Sequence, residues 1–178
     1  MTQPEAINDL NVIEVNNFPN ITRLILPLTD KELKYHNWYM DSAIRASIMS
    51  HCVRRIVGAV VVKDGHVIST GWNGMPEGFT NICELPDGNT NPIVRHAERN
   101  ALDRFIGRSE SVIGSTMYVT TGPCLDCAIT IKTRAKLTTV YFKEFYRTSA
   151  GIEYLINEGI EVFQFDGKEM YKCSTVTN

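Results

Sequence analysis

At 178 residues, with 43% apolar and 21% charged side chains, the chain is long enough for one domain with a sizeable core and has an ordinary globular composition. Its net charge of −2 and pI near 6.1 exclude a broad basic surface of the kind that wraps nucleic acid, leaving room only for a local basic patch. The most apolar early run, Ile21 to Leu28, is interrupted by Arg23 and Pro27 and is far too short to span a bilayer, so no membrane partner is expected.

Residues 1–30 are rich in Asn and Pro without a sustained period and read as a surface extension. Within them Ile21-Thr22-Arg23-Leu24-Ile25-Leu26 fits either a short strand or an arm laid on a neighbouring subunit. Met1-Thr2-Gln3-Pro4-Glu5 lacks the basic-then-apolar plan of a signal peptide, so a cytoplasmic protein is expected. Thr29 or Asp30 is placed to cap a helix running to about His51, with Trp38, Tyr39, Ser42, Ala43, Ala46 and Met49 as its packing stripe. Val57 to Val62 is a continuous apolar run typical of a buried strand. Asp64-Gly65 turns it tightly into a second strand, His66 to Trp72. Residues 73–93 are Gly- and Pro-rich and loop-like, a length that is often functional.

A helix is expected from His96 to about Ile106, stopped by Gly107. Thr116 to Thr120 reads as a strand, and Pro123 suits the first turn of a helix carrying Cys124 to about Lys136. A strand at Thr138–Phe142, a helix at Ser149–Glu158 and a last strand at Ile160–Phe165 complete the order α-β-β-α-β-α-β-α-β, a sheet sandwiched between helices. The expected divisions are an N-terminal extension 1–30, a domain 31–170 and a C-terminal tail 171–178.

His96-Ala97-Glu98 followed by Pro123-Cys124-Leu125-Asp126-Cys127 carries the chemistry. One imidazole and two thiols are one ligand short of a closed structural zinc site, which leaves a position for water and makes the site catalytic. Cys124 and Cys127, three apart at a strand-to-helix turn, share a helix face, and the helix N-terminus favours their thiolates. Against this stands a pair of inert core cysteines. Glu98 is the candidate proton shuttle, taking the water proton and later protonating the departing amine. Its spacing of two from His96 is not a same-face spacing in mid-helix, so the pair must occupy the first turn; the alternative is a carboxylate that merely complements the helix dipole. H-x-E followed by P-C-x-x-C is the known signature of zinc nucleobase deaminases. The odd cysteine count, with two committed to this motif, argues against a disulfide scaffold and for a reducing compartment.

Beyond the motif, Asn37-Trp38-Tyr39-Met40, Val57-Gly58-Ala59, Gly71-Trp72-Asn73-Gly74-Met75-Pro76, His96-Ala97-Glu98-Arg99-Asn100-Ala101 and Met117-Tyr118-Val119 resemble the deoxycytidylate deaminases of the cytidine deaminase superfamily, over roughly residues 31–165. The resemblance implies a three-layer α/β/α sandwich around a mixed five-stranded sheet and hydrolytic conversion of dCMP to dUMP and ammonia, supplying thymidylate synthesis. It further implies one catalytic Zn2+ held by His96, Cys124 and Cys127, a homohexamer activated by dCTP and inhibited by dTTP, and Mg2+ accompanying those triphosphates only. By the same resemblance Asn73 contacts the nucleotide sugar or phosphate, while Arg54 and the Tyr146-Arg147 pair face the phosphate. Gly74 and Gly78 line the effector loop. The arginines have an alternative as solvated surface charges, Arg55 more than the others. Cys52 and Cys83 sit where some relatives carry ligands of a second zinc, but without the insertion that completes that set; two ordinary thiols are the expectation. A phage origin would place the protein in the host cytoplasm. Relatives acting on transfer RNA or single-stranded DNA need a basic, aromatic groove, which this composition does not support, so no nucleic-acid polymer is expected as partner.

Overall fold

The computed structural model describes residues 12–15, 17–107, 109 and 111–176. Among the described residues, eight strands form one sheet: β1 (Val12–Glu14), β2 (Ile21–Leu26), β3 (Gly58–Lys63), β4 (His66–Trp72), β5 (Thr116–Thr121), β6 (Thr139–Glu144), β7 (Glu161–Phe165) and β8 (Met170–Thr175). Their order is β1-β2-β8-β7-β6-β5-β3-β4, with β5, β6 and β7 mutually parallel and every other pairing antiparallel. Four helices, α1 (Asp30–Ser47), α2 (Ala97–Asp103), α3 (Leu125–Thr130) and α4 (Ala150–Asn157), cover it.

The alternation of side chains along the strands assigns the layers. In β3, Val60 and Val62 face Tyr39, Met40 and Ala43 of α1, whereas Val61 joins the core beneath α2, α3 and α4. Both faces of the central strands are therefore covered, which is why Val57–Val62 reads as one unbroken apolar run. Thr29 closes α1 with a capping box, its hydroxyl accepting the Glu32 N–H while the Glu32 carboxylate accepts the Thr29 N–H at 2.9 Å. Asp64-Gly65 makes the predicted turn, both residues at positive φ.

The expected α/β/α sandwich holds, but the sheet has eight strands where five were expected. The additional three come from both ends of the chain: β2 pairs β8 over six residue pairs, and β1 pairs β2. The pattern is weak locally because these strands sit at one side of the sheet, where burial alternates only partly. β8 thus crosses the expected boundary at residue 170, and the run 21–26 within the expected extension is part of the sheet. The helix expected from Cys124 to Lys136 is a six-residue α3 continued by a π turn, Ile131–Ala135, that ends with Lys136 in the left-handed region. In α1 the buried face is Tyr39, Met40, Ala43, Ala46 and Ser47; Trp38 and Met49, expected in the stripe, are exposed.

The cysteine expectation is also corrected: Cys52 and Cys83 are disulfide-bonded, leaving Cys124, Cys127 and Cys173 free. Spacing could not show this. Beside the bond, the Glu84 carboxylate accepts the Val53 and Arg54 N–H groups at 3.0 and 3.1 Å, joining the loop after β4 to the segment after α1.

Candidate active site

Strand directions gather the chemistry at one edge of the sheet. β4 and β5 both run antiparallel to β3, so they point the same way, and β6 is parallel to β5. The segments leaving β4, β5 and β6, together with the segment entering β3, therefore share that edge, at the carboxyl ends of the parallel strands where α/β sheets bind ligands. Asn73 and His96 arrive after β4, Cys124 and Cys127 after β5, Tyr146 and Arg147 after β6, and Arg54 before β3.

His96 and Cys124 occupy equivalent positions. Each is the N-cap of its helix, extended at φ −74°, ψ 155° and φ −70°, ψ 167°, and neither uses its side chain to cap. Both side chains are thereby free to turn toward one another. His96 Nδ1 lies 3.4 Å from the Sγ of Cys124 and 3.4 Å from the Sγ of Cys127, and the three donor atoms fall within 4.8 Å of one another. The N-cap geometry also resolves the spacing of Glu98: the histidine leaves the backbone before the helix begins, so Glu98 in the first turn reaches the same pocket. Three close contacts fix α2 on β4. A Cβ on Gly71 would stand 2.4 Å from the Ala97 carbonyl oxygen and 2.4 Å from the Ala101 nitrogen. Ser69 donates to the Ala101 carbonyl at 2.7 Å, and the Asn100 amide donates to the Trp72 carbonyl at 2.8 Å.

The site's electrostatics favour a thiolate at Cys124. Hydrogen bonding from the Cys127 thiol, aided by His96, holds the Cys124 thiol at about 4 despite its burial. The same bond and burial push Cys127 up, and the bond to Cys124 raises His96. Glu98 is only 4% exposed, and desolvation raises its carboxyl above the ordinary range. One imidazole and two thiol sulfurs converging on a point suit a borderline-soft ion such as zinc, with a carboxylate beside them that need not be a ligand. Arg99 and Asp126 pair at 3.1 Å between α2 and α3; exposed on the surface, this bridge adds at most about 1 kcal/mol.

A cavity of about 350 Å³ opens over this cluster, a size suited to a small organic ligand. His96, Glu98 and Cys124 form part of its lining, and Asn73, Arg54, Tyr146 and Arg147 all reach it. Their engagements differ. The Asn73 amide already bridges backbone, accepting the Val57 N–H at 2.8 Å and donating to the Arg55 carbonyl at 2.8 Å, which leaves one lone pair and one N–H free. Arg54 directs its fork into the loop, donating to the Gly88 carbonyl and to the Thr90 hydroxyl. Arg147 lies over the Tyr146 ring at 5.3 Å, and Arg55, given less weight in the sequence, lies over the same ring at 5.9 Å and lines the cavity too. Glu84 and Thr90, which no motif marked, complete the loop wall. Gly74 is elsewhere: it exchanges backbone hydrogen bonds with Arg95 and lines a second cavity of about 420 Å³ beside Trp72 and Arg104. Gly78, at positive φ, lines neither.

Residues 33–144 match the family model of the cytidine and deoxycytidylate deaminase zinc-binding region. The chain is 32% identical over 167 residues to the deoxycytidylate deaminase of Saccharomyces cerevisiae, an alignment covering 84% of this chain and 53% of that protein; it spans about half the length of that relative. It is 31% identical over 177 residues to the deoxycytidylate deaminase of Enterobacteria phage T4, covering 76% of this chain and 92% of that one. Among solved structures, the dCMP deaminase of the cyanophage S-TIM5, in complex with dCMP and dUMP, matches with a TM-score of 0.72 at 43% identity, over 78% of this chain and 100% of that chain.

Proposed function

Because the chain belongs to the cytidine and deoxycytidylate deaminase zinc-binding family, we propose that it hydrolyses dCMP to dUMP and ammonia, a source of dUMP for thymidylate synthesis. The observation that carries the proposal is the buried Glu98 carboxyl set beside the His96–Cys124–Cys127 cluster, at a cavity also lined by Arg55, Tyr146 and Arg147.

His96 through Nδ1 and the two cysteines through Sγ are the residues that would hold zinc. When bound, the ion supplies the Lewis acidity that makes water a nucleophile near neutral pH. The chain supplies the rest. Glu98 takes a proton from the attacking water and delivers it to N3 of the pyrimidine, the ring nitrogen next to the attacked C4. With the water oxygen now bonded to C4, Glu98 carries the proton of that hydroxyl to the exocyclic nitrogen, and the C4–N bond breaks to release ammonia as the C4 carbonyl forms. A carboxylate whose pKa is raised by burial takes up a proton from water more readily than a solvated one. Arg147 and Tyr146 face the phosphate, a guanidinium fork matching its oxygens two at a time, with Arg55 beside them. The remaining N–H and lone pair of Asn73 serve the sugar or phosphate. Arg54, its fork in the loop, holds the phosphate wall in shape and presents its remaining edge to the cavity.

Regulation by dCTP as activator and dTTP as inhibitor, with magnesium bound to those triphosphates, belongs to the same proposal, as does assembly into a homohexamer. Its support is the second cavity, where the Arg104 guanidinium lies 5.6 Å over the Trp72 ring and Gly74 leaves the floor without a side chain. Gly78, outside both cavities, carries no part of it.

The test is ammonia release from dCMP, deoxycytidine and a deoxycytidine-containing single-stranded oligonucleotide, each with and without dCTP or dTTP and magnesium. Turnover is expected with dCMP and not with the oligonucleotide; deamination of the oligonucleotide with dCMP untouched would overturn the proposal. Arg147→Ala is expected to raise KM for dCMP about 10- to 100-fold, the loss of one charge-assisted hydrogen bond, with little change toward deoxycytidine. Equal losses on both substrates would remove Arg147 from the phosphate.

A further inference from the structure

The turn that carries Cys124 leaves no space for a side chain on its neighbour. Gly151 is the second residue of α4, and a Cβ there would stand 2.1 Å from the Pro123 carbonyl oxygen and 2.8 Å from both the carbonyl carbon and oxygen of Cys124. All three atoms are backbone, so no change of rotamer relieves the overlap; either α4 or the Pro123–Cys124 turn must move. Neither moves alone. The Cys124 carbonyl accepts the Ala128 N–H at 2.9 Å, so displacing it tilts the first turn of α3, where Cys127 sits. On the other side, only the segment between Glu144 and Ala150 separates α4 from β6, and that segment holds Tyr146 and Arg147. A backbone bond from the Gly122 N–H to the Glu144 carbonyl, 2.8 Å, ties the roots of the two connections together.

We propose that Gly151 is a positioning residue. Its missing side chain lets α4 seat directly on the Pro123 and Cys124 carbonyls, and this one contact sets both the thiol-bearing turn and the course of Tyr146–Arg147 across the cavity. Gly151 touches no reacting atom and is not catalytic. The inference rests on the metal and phosphate roles proposed above and adds a coupling between them: the α4 seat relates the metal-holding turn to the phosphate-facing segment.

A residue that only packed would weaken the metal-free and metal-loaded protein equally. A residue that positions the ligands lowers what the metal itself contributes, because the stabilisation an ion gives the folded state grows with the logarithm of its affinity for it. The experiment therefore compares the full-length wild type with Gly151→Ala and Gly151→Ser, each stripped with a chelator and each reloaded with zinc. The readouts are thermal midpoint and zinc retained against a competing chelator. With cobalt in place of zinc, the thiolate-to-metal absorption band reads the ligand geometry directly. Zinc affinity is expected to fall about tenfold in Gly151→Ala and further in Gly151→Ser, the range seen when partners behind metal ligands are disturbed. The zinc-dependent gain in midpoint should shrink and the cobalt band shift, and KM should rise more for dCMP than for deoxycytidine. A zinc-dependent gain equal to that of wild type would overturn the role of Gly151 while leaving the metal reading intact. A wild type that gains nothing from zinc would overturn both. If neither variant folds, amide exchange in the wild type decides. Stripping the metal should then speed exchange at Glu153, whose N–H donates to the Ser149 carbonyl at 2.9 Å in the first turn of α4, with α1 unchanged. Equal protection at Glu153 with and without metal would overturn the coupling.

Discussion

Glu98→Gln is expected to lower kcat by about 10²- to 10⁴-fold, the usual contribution of a positioned proton-transfer group. Zinc content should stay at the wild-type level. The amide fills the volume of the carboxyl, so α2 keeps its seat on β4, and none of the three donor atoms of the cluster belongs to Glu98. What disappears is a group able to accept a proton from water and give it up again. Stability should move the other way in the metal-stripped protein. Burial holds the Glu98 carboxyl above the ordinary range, so the folded state binds more protons than the unfolded one, and stability falls as pH rises past the unfolded carboxyl pKa. The glutamine variant lacks that penalty, so at pH 7 its midpoint should equal or exceed that of the stripped wild type. Ammonia release, zinc per chain and thermal unfolding check the three statements separately. Turnover within tenfold of wild type would remove the shuttle role, and loss of zinc would make Glu98 a ligand instead.

The His96–Cys124–Cys127 cluster was legible because its signals are local. A proline before the first cysteine, a spacing of three between the thiols and a polar residue opening each helix are properties of a few adjacent residues, and the N-cap conformations of His96 and Cys124 show why they suffice. What the sequence left open depends on distant partners. β2, one of the two readings offered for Ile21–Leu26, joins β8 across the length of the chain, with Ile21 opposite Thr175 and Leu26 opposite Met170, and β8 alternates too weakly to announce itself. The Cys52–Cys83 bond joins two loops that the Glu84 carboxylate also links, contacts without periodicity. Trp38 lies on the face of α1 turned away from Val60 and Val62, so a helical stripe of large residues was mistaken by one position for the buried one. Among the residues expected to contact substrate, Arg54 reaches the cavity over the cluster but turns its fork into the loop, and only the side chain's own hydrogen bonds reveal that.

Gly71→Ala should destabilise the fold by about 1–3 kcal/mol, the usual cost of overpacking a filled interior, and lower turnover at the same time. The added Cβ would meet the Ala97 carbonyl oxygen and the Ala101 nitrogen at 2.4 Å and the Ala101 Cα at 2.9 Å, all backbone of α2. Ala97 and Ala101 are fully buried, so the helix has no slack on the sheet and must lift or slide. Either motion strains the Ser69 bond to the Ala101 carbonyl and the Asn100 bond to the Trp72 carbonyl. It also carries His96, the N-cap of that helix, and Glu98, in its first turn, away from the two cysteines. For a chain of this length the cost corresponds to a fall in midpoint of about 2–4 °C per kcal/mol. Gly74→Ala is the control: only a few residues on, it has nothing within 4 Å of the added atom and a backbone that any residue adopts, so its midpoint should stay close to wild type. Gly71→Val adds two methyl groups against the same backbone and should lose both fold and zinc. If Gly71→Ala matched Gly74→Ala in midpoint and kept full turnover, the close seat of α2 on β4 would not be what places His96 and Glu98.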